Sequence, residues 1–284
     1  MNMNYKTYRK IKNILFTILV SASAILILTP LFLVTQLIIT KGIAGLNWDF
    51  FTSIPKPIGE TGGGMKHAIM GTLYIVGIGT LLSVPIGLTC GVYLSEFKKS
   101  KMAKFLNICV DLMNGIPSIV IGIFAYLVLV VPLKSFSALA GGFAISLIML
   151  PIIIKTSVEI LQLVPKQIRE AGLALGLTRW KVILLIVVKG SIPSLLTGIL
   201  LAISRAAGET APLLFTAFGN MYLSYDPKGP MASLPVQIYN YAISPFKEWQ
   251  KQAWSGAIVL VGIILIMNLV SRFILMRINN PQRK

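Results

Sequence analysis

Acidic side chains are scarce in this 284-residue chain: nine Asp and Glu stand against 26 Lys and Arg, and charged residues make up only 12% of it. Soluble domains usually carry about 25% charged residues, so a surface wetted all round is excluded. Cysteine is nearly missing. Cys90 and Cys109 lie in apolar stretches with no ligand-type spacing, and we assign them neither a disulfide nor a metal. His67 has no second histidine to ligate with, and at the start of an apolar run it reads as a surface residue. No G-x-x-x-x-G-K-S/T run occurs, so the chain has no evident nucleotide site of its own.

What is abundant is apolar length. The chain is 55% hydrophobic with a mean hydropathy of +0.80. Six runs reach the ~20 residues that a membrane helix needs: about 14–40, 67–95, 105–133, 136–157, 183–218 and 253–275. The expected fold class is an all-α polytopic membrane protein with six transmembrane helices. The fifth run is long for one span, which predicts an interfacial end or a kink at Pro193. Ser21-Ala22-Ser23-Ala24 imitates a signal cleavage site, but it lies inside an apolar run continuing to Thr40, so we read a retained first helix.

A net charge of +17 would suggest nucleic acid in a soluble protein. Its distribution argues otherwise. With the N-terminus inside, 18 of the 26 basic residues fall in cytoplasmic segments, seven fall outside, and Arg205 lies within the membrane. This follows the positive-inside rule and places both termini in the cytoplasm, in contact with lipid and with no nucleic-acid partner.

We divide the chain into a first helix with its outside loop (1–66), a transmembrane body (67–275) and a short cytoplasmic tail (276–284). Gly62-Gly63-Gly64 in the first loop permits a tight bend or a close approach to a ligand, and we take the bend. No inverted repeat is visible, which weighs against many secondary transporters. Tyr222, Tyr225, Tyr239, Tyr241, Trp249 and Trp254 read as an interfacial belt or a docking surface, the belt being the simpler reading.

Two segments carry chemistry. The long inside loop from Val158 to Val182 contains Pro165, which suits a helix first turn, and Gly176, which suits the residue after a helix end. Thr178 offers an N-cap for the next helix, with half a capping box. In the short helix between them Ile168, Gly172 and Leu175 share a face, so a partner can approach closely at Gly172. The other segment is Arg205-Ala206-Ala207-Gly208-Glu209-Thr210, inside the fifth apolar run. A charged residue at bilayer depth costs roughly 2.5–3.5 kcal/mol on insertion scales, so such residues mark function. Spaced four apart on a helix, Arg205 and Glu209 can pair or grip a common ligand. The guanidinium matches phosphate or carboxylate oxygens, Glu209 offsets its charge, and Thr210 adds a hydroxyl. A structural salt bridge between helices is the competing reading.

Glu170-Ala171-Gly172, with Gly176 four residues on and Ile192-Pro193 beyond, resembles the EAA loop of bacterial ABC-importer permeases, with Gly172 where the motif commonly has Ala. Arg205 through Leu214 resembles the fifth-span motif of the PstA-type permease of phosphate-specific ABC importers. Gly71-Thr72-Leu73, Val84-Pro85-Ile86-Gly87, Tyr93-Leu94-Ser95-Glu96 and Asn114 through Val120 resemble the same subunit, over roughly 67–275.

The resemblance implies a type I importer permease of the bacterial inner membrane, itself not an enzyme. Its loop at Glu170, Ala171, Gly172 and Gly176 would be the coupling helix seated on an ATPase dimer. Arg205 and Glu209 would be involved in phosphate passage. It further implies a homologous second permease, an extracytoplasmic phosphate-binding protein, and ATP and Mg bound by the ATPase, with no cofactor or metal in this chain. Three alternatives stay open: a permease for molybdate or sulfate, a proton-coupled secondary transporter with Glu209 as carrier, and a membrane scaffold whose basic loops bind anionic lipid.

Overall fold

A computed structural model describes residues 3–57, 60 and 62–278, and among these the chain is helical with no strand. Helix α1 (Met3–Ile43) is a single continuous helix through Ser21–Ala24. Its apolar face is covered by nothing in the chain over most of its length. Only its last turns pack, where the Ser255 Oγ–H donates to the Gly42 carbonyl at 2.9 Å. Short α2 (Trp48–Thr52) is capped by Asn47, whose side chain accepts from Phe50 N. Gly62 and Gly63 then turn the chain at φ +90 and +86, so the glycine run is a bend.

Helices α3 (Lys66–Glu96) and α6 (Ala138–Gln162) form the centre. They approach along a glycine seam: a Cβ on Gly87 would stand 2.7 Å from Ile153 Cγ2, and one on Gly91 2.6 Å from Ser157 Cβ. Between helices in lipid, where apolar burial drives nothing, such close backbone packing is what holds a pair together. Ile75, Ile145, Met149 and Ile153 are buried at this seam.

The third apolar run is not one straight span. Helices α4 (Lys101–Gly115) and α5 (Ser118–Leu133) meet at 105°. Pro117 has no N–H to donate and pushes Ile116 into extended backbone (φ −73, ψ 128), which ends α4 at Gly115. Asp111 on α4 pairs with Lys155 on α6 and ties the bent helix pair to the centre.

Helix α7 (Lys166–Ala174) is the short loop helix. Helix α8 (Arg179–Ala206) is the fifth span. It runs through Pro193, and its first turns include a π-helical stretch, Val182–Val188. The excess length of the fifth run is resolved elsewhere: the helix stops at Ala206, the chain turns at Ala207–Thr210, and α9 (Ala211–Thr216) starts anew. Helix α10 (Leu234–Ala242) and the long α11 (Lys247–Ile278) complete the chain. The cytoplasmic tail expected at 276–284 lies largely outside the described residues.

At the end opposite the loop helix, α10 and the first turns of α3 and α11 bury two residues that the sequence reading left outside. His67 is only 2% exposed, a correction to the surface placement. Neither ring nitrogen has a close partner among the described residues, and Gln237 is beside it. Tyr241 is equally buried and stacks on Trp249 at 4.7 Å, so these two aromatics pack a core while Tyr222, Tyr225 and Tyr239 stay exposed. Thr72 accepts from Leu234 N at 2.7 Å and pins α10 to α3.

Candidate functional site

Arg205 sits in the last turn of α8, two residues before the chain breaks. The break is local chemistry: Gly208 follows two small residues, Glu209 N–H reaches back to the Ala206 carbonyl at 3.2 Å, and Pro212 is set for a helix first turn. The turn holds Arg205 Nε and Glu209 Oε1 4.0 Å apart, with the side chains 66% and 17% exposed. That is a loose approach, with no hydrogen bond between the two.

The second break faces the first. Helix α5 leans on α9 so closely that a Cβ on Gly122 would come within 2.6 Å of Pro212 Cα. This brings the α4–α5 corner to the α8–α9 corner. Between them lies a cavity of about 170 Å³, lined by Asn114, Pro117 and Ser118 of the third span, Ile148, Pro151 and Ile152 of α6, and Arg205 and Glu209. Its floor is apolar and its polar groups converge from two chain breaks, as expected for a small-ligand site. Helix breaks at membrane depth are tolerated where they line a cavity, and discontinuous helices form many transport sites. Among the described residues neither the Asn114 amide nor the Ser118 hydroxyl has a partner within the chain.

Arg205 and Glu209 are therefore together at one site. Thr210 is not among its lining: it occupies the N-cap position of α9 without a side-chain cap bond, and its carbonyl accepts from Leu213 N. Asn114 and Ser118 were missed as site residues. The signal was Gly115-Ile116-Pro117, a helix breaker flanked by two short polar side chains within an apolar run.

The loop helix forms as expected between Pro165, at its N-cap, and Gly176, at φ +81. Glu170, Ala171 and Gly176 are exposed, as are Leu173 and Leu175. Gly172 is not. It is buried against α8, where a Cβ would stand 2.7 Å from Ile186 Cδ1 and 3.0 Å from Val182 Cγ2. The close approach expected at Gly172 is thus made by the chain itself, which corrects the docking face assigned to it. Arg169 fixes the other side of α7. It pairs with Glu96 at the end of α3, and its Nη2 donates to the Leu161 carbonyl at 2.7 Å. Beside this anchor a cleft of about 530 Å³ is lined by Lys98, Lys99, Lys166 and Arg179, and Arg179 lies 5.1 Å over the Phe97 ring.

Comparison with known proteins follows the same lines. Residues 83–284 match the family described as binding-protein-dependent transport system inner membrane component. The chain is 42% identical over 277 residues to the phosphate transport system permease protein PstA of Haemophilus influenzae, covering 95% of this chain and 96% of that one. It is 40% identical over 270 residues to the protein of that name from Yersinia pestis, covering 95% and 92%. It is 37% identical over 275 residues to a probable PstA of Methanocaldococcus jannaschii, covering 96% and 97%. Among solved structures, an inward-facing MetNI methionine ABC transporter superposes with a TM-score of 0.64 over 76% of this chain and 96% of that one, at 16% identity, a likeness of fold alone.

Proposed function

The chain belongs to the family of binding-protein-dependent transport system inner membrane components, and we propose that it passes phosphate along the cavity that Arg205 and Glu209 line. It is a membrane permease subunit of a phosphate ABC importer, not itself an enzyme. Membership in the family brings an ATPase and a binding protein as partners. The proposal extends to a homologous second permease, an ATPase dimer that binds ATP and Mg, and an extracytoplasmic phosphate-binding protein.

The carrying observation is the cavity: one cation and one anion line it together with two polar side chains that have no partner within the described chain, where two helices break. Arg205 presents a fork of donors to the oxyanion. Glu209, at 4.0 Å, keeps the empty site near neutral, so a bound anion is not held too tightly to leave. The distribution of basic residues supports an orientation with α7 and both termini in the cytoplasm. The exposed residues of α7 and its C-cap, Glu170, Ala171, Leu173 and Leu175, are then free to meet the ATPase. Because Arg169 ties α7 to α3 and Gly172 seats it on α8, a displacement of α7 is delivered to both spans. That supplies a rigid-body route for alternating access.

Uptake of radiolabelled phosphate, in cells lacking other phosphate routes, tests the reading. ATP-dependent uptake by the intact chain and its loss in Arg205→Gln at matched membrane levels are expected. Unchanged uptake in the variant would refute the pathway.

A further inference from the structure

We propose that Glu209 selects oxyanions that still carry a proton, with Asn114 and Ser118 as neutral partners for the remaining oxygens; this rests on the cavity being the phosphate path. The charge balance of the site is the starting point. Arg205 and Glu209 are the charged groups lining the cavity, and they cancel. A site meant for any dianion would do better with the arginine alone, since a carboxylate near a bound anion disfavours its charge.

The carboxylate also has an unmet need. Among the described residues the Glu209 carboxylate accepts no hydrogen bond, and its charged partner, Arg205 Nε, is 4.0 Å away. A carboxylate only accepts. Its side chain is 17% exposed and lines the cavity, so an occupant that carries an O–H donor meets that need in place of water. At neutral pH inorganic phosphate retains acidic protons, whereas sulfate has none. Phosphate donates an O–H to Glu209 and accepts from the Arg205 guanidinium, the Asn114 amide and the Ser118 hydroxyl. An O–H to carboxylate bond is short and strong. Sulfate, offering acceptors only, sets its charge against the carboxylate. Sites built around a substrate hydroxyl reject analogues that lack it by up to roughly 10⁴–10⁵. This cavity is open on the arginine side, with Arg205 66% exposed, so we expect less.

The binding protein filters anions upstream, so the test uses the assembled importer in nanodiscs without it. Radiolabelled phosphate bound at equilibrium is displaced with unlabelled phosphate or sulfate. The intact importer should prefer phosphate by at least about tenfold. Glu209→Gln, whose amide can donate to sulfate, should lower that ratio by about tenfold or more, and Glu209→Asp should keep it. Asn114→Ala and Ser118→Ala should weaken both anions alike. An unchanged ratio in Glu209→Gln, no preference in the intact importer, or loss of both anions in Glu209→Gln alone each overturns the proposal. So does a ratio that shifts with Asn114 or Ser118. If the intact importer binds no phosphate at all, the pathway reading itself fails, and this inference with it.

Discussion

Gly172 lies directly against Ile186: a Cβ on the glycine would stand 2.7 Å from the isoleucine Cδ1. The loop helix is thereby seated on the start of the fifth span, and its contact with a partner must use its exposed residues rather than Gly172. Gly172→Ala should be tolerated, because Ile186 Cδ1 is the mobile end of a side chain. Gly172→Leu should lift α7 and reduce coupled ATPase activity by about tenfold or more, within the usual overpacking cost of about 1–3 kcal/mol. Binding-protein-stimulated ATP hydrolysis measures it, and a fully active Gly172→Leu importer refutes the seat.

The Arg169–Glu96 pair is the second anchor of α7, with side chains 20% and 8% exposed. Glu96→Gln should destabilise the complex by about 1–3 kcal/mol, since a largely buried guanidinium loses its anionic partner. Thermal unfolding of Glu96→Gln, Arg169→Gln and the double variant gives the coupling. Strictly additive effects would show that the pair does not act as a unit.

The Arg205–Glu209 pair should behave in the opposite way. At 4.0 Å, with Arg205 66% exposed, it contributes about 0–1 kcal/mol to stability. Arg205→Gln should leave the unfolding midpoint of the complex within about 2 °C of the parent while removing uptake. A drop of many degrees would restore the reading of the pair as a structural bridge.

Gly122 sets the meeting of the two breaks. A Cβ there meets Pro212 Cα at 2.6 Å, and backbone cannot step aside as a side chain does. Gly122→Val should part α5 from α9 and reduce phosphate uptake by more than about tenfold, consistent with overpacking costs. Gly77 has nothing within 4 Å of its Cβ position, so Gly77→Ala is the matched control and should transport normally. Equal uptake in both variants would disconnect the contact from the pathway.

Much of this protein is legible in its residues, and the failures have identifiable causes. Apolar length located the spans, and Pro165 and Gly176 bounded the loop helix, because both signals act within a turn or two of chain. The 105° corner at Pro117 was written locally in Gly115-Ile116-Pro117, yet the apolar length on both sides of it read as one span. Gly172 was placed on the wrong side because a small residue permits close approach without saying to what. His67 was left at the surface because its burial depends on α10, some 170 residues away, as the Gln237 neighbour shows.

By itself the sequence determined the class of protein, an all-helical chain in a membrane, and the identity of the charged pair. Both follow from the cost of placing polar groups in lipid, which every residue meets locally. Only the tertiary structure decided what that pair faces. Asn114 and Ser118 line one cavity with Arg205 and Glu209 where Gly122 lets α5 close on Pro212, across about 90 residues of sequence. Packing between distant segments is set by shape at the point of contact, and no local pattern in either segment records it.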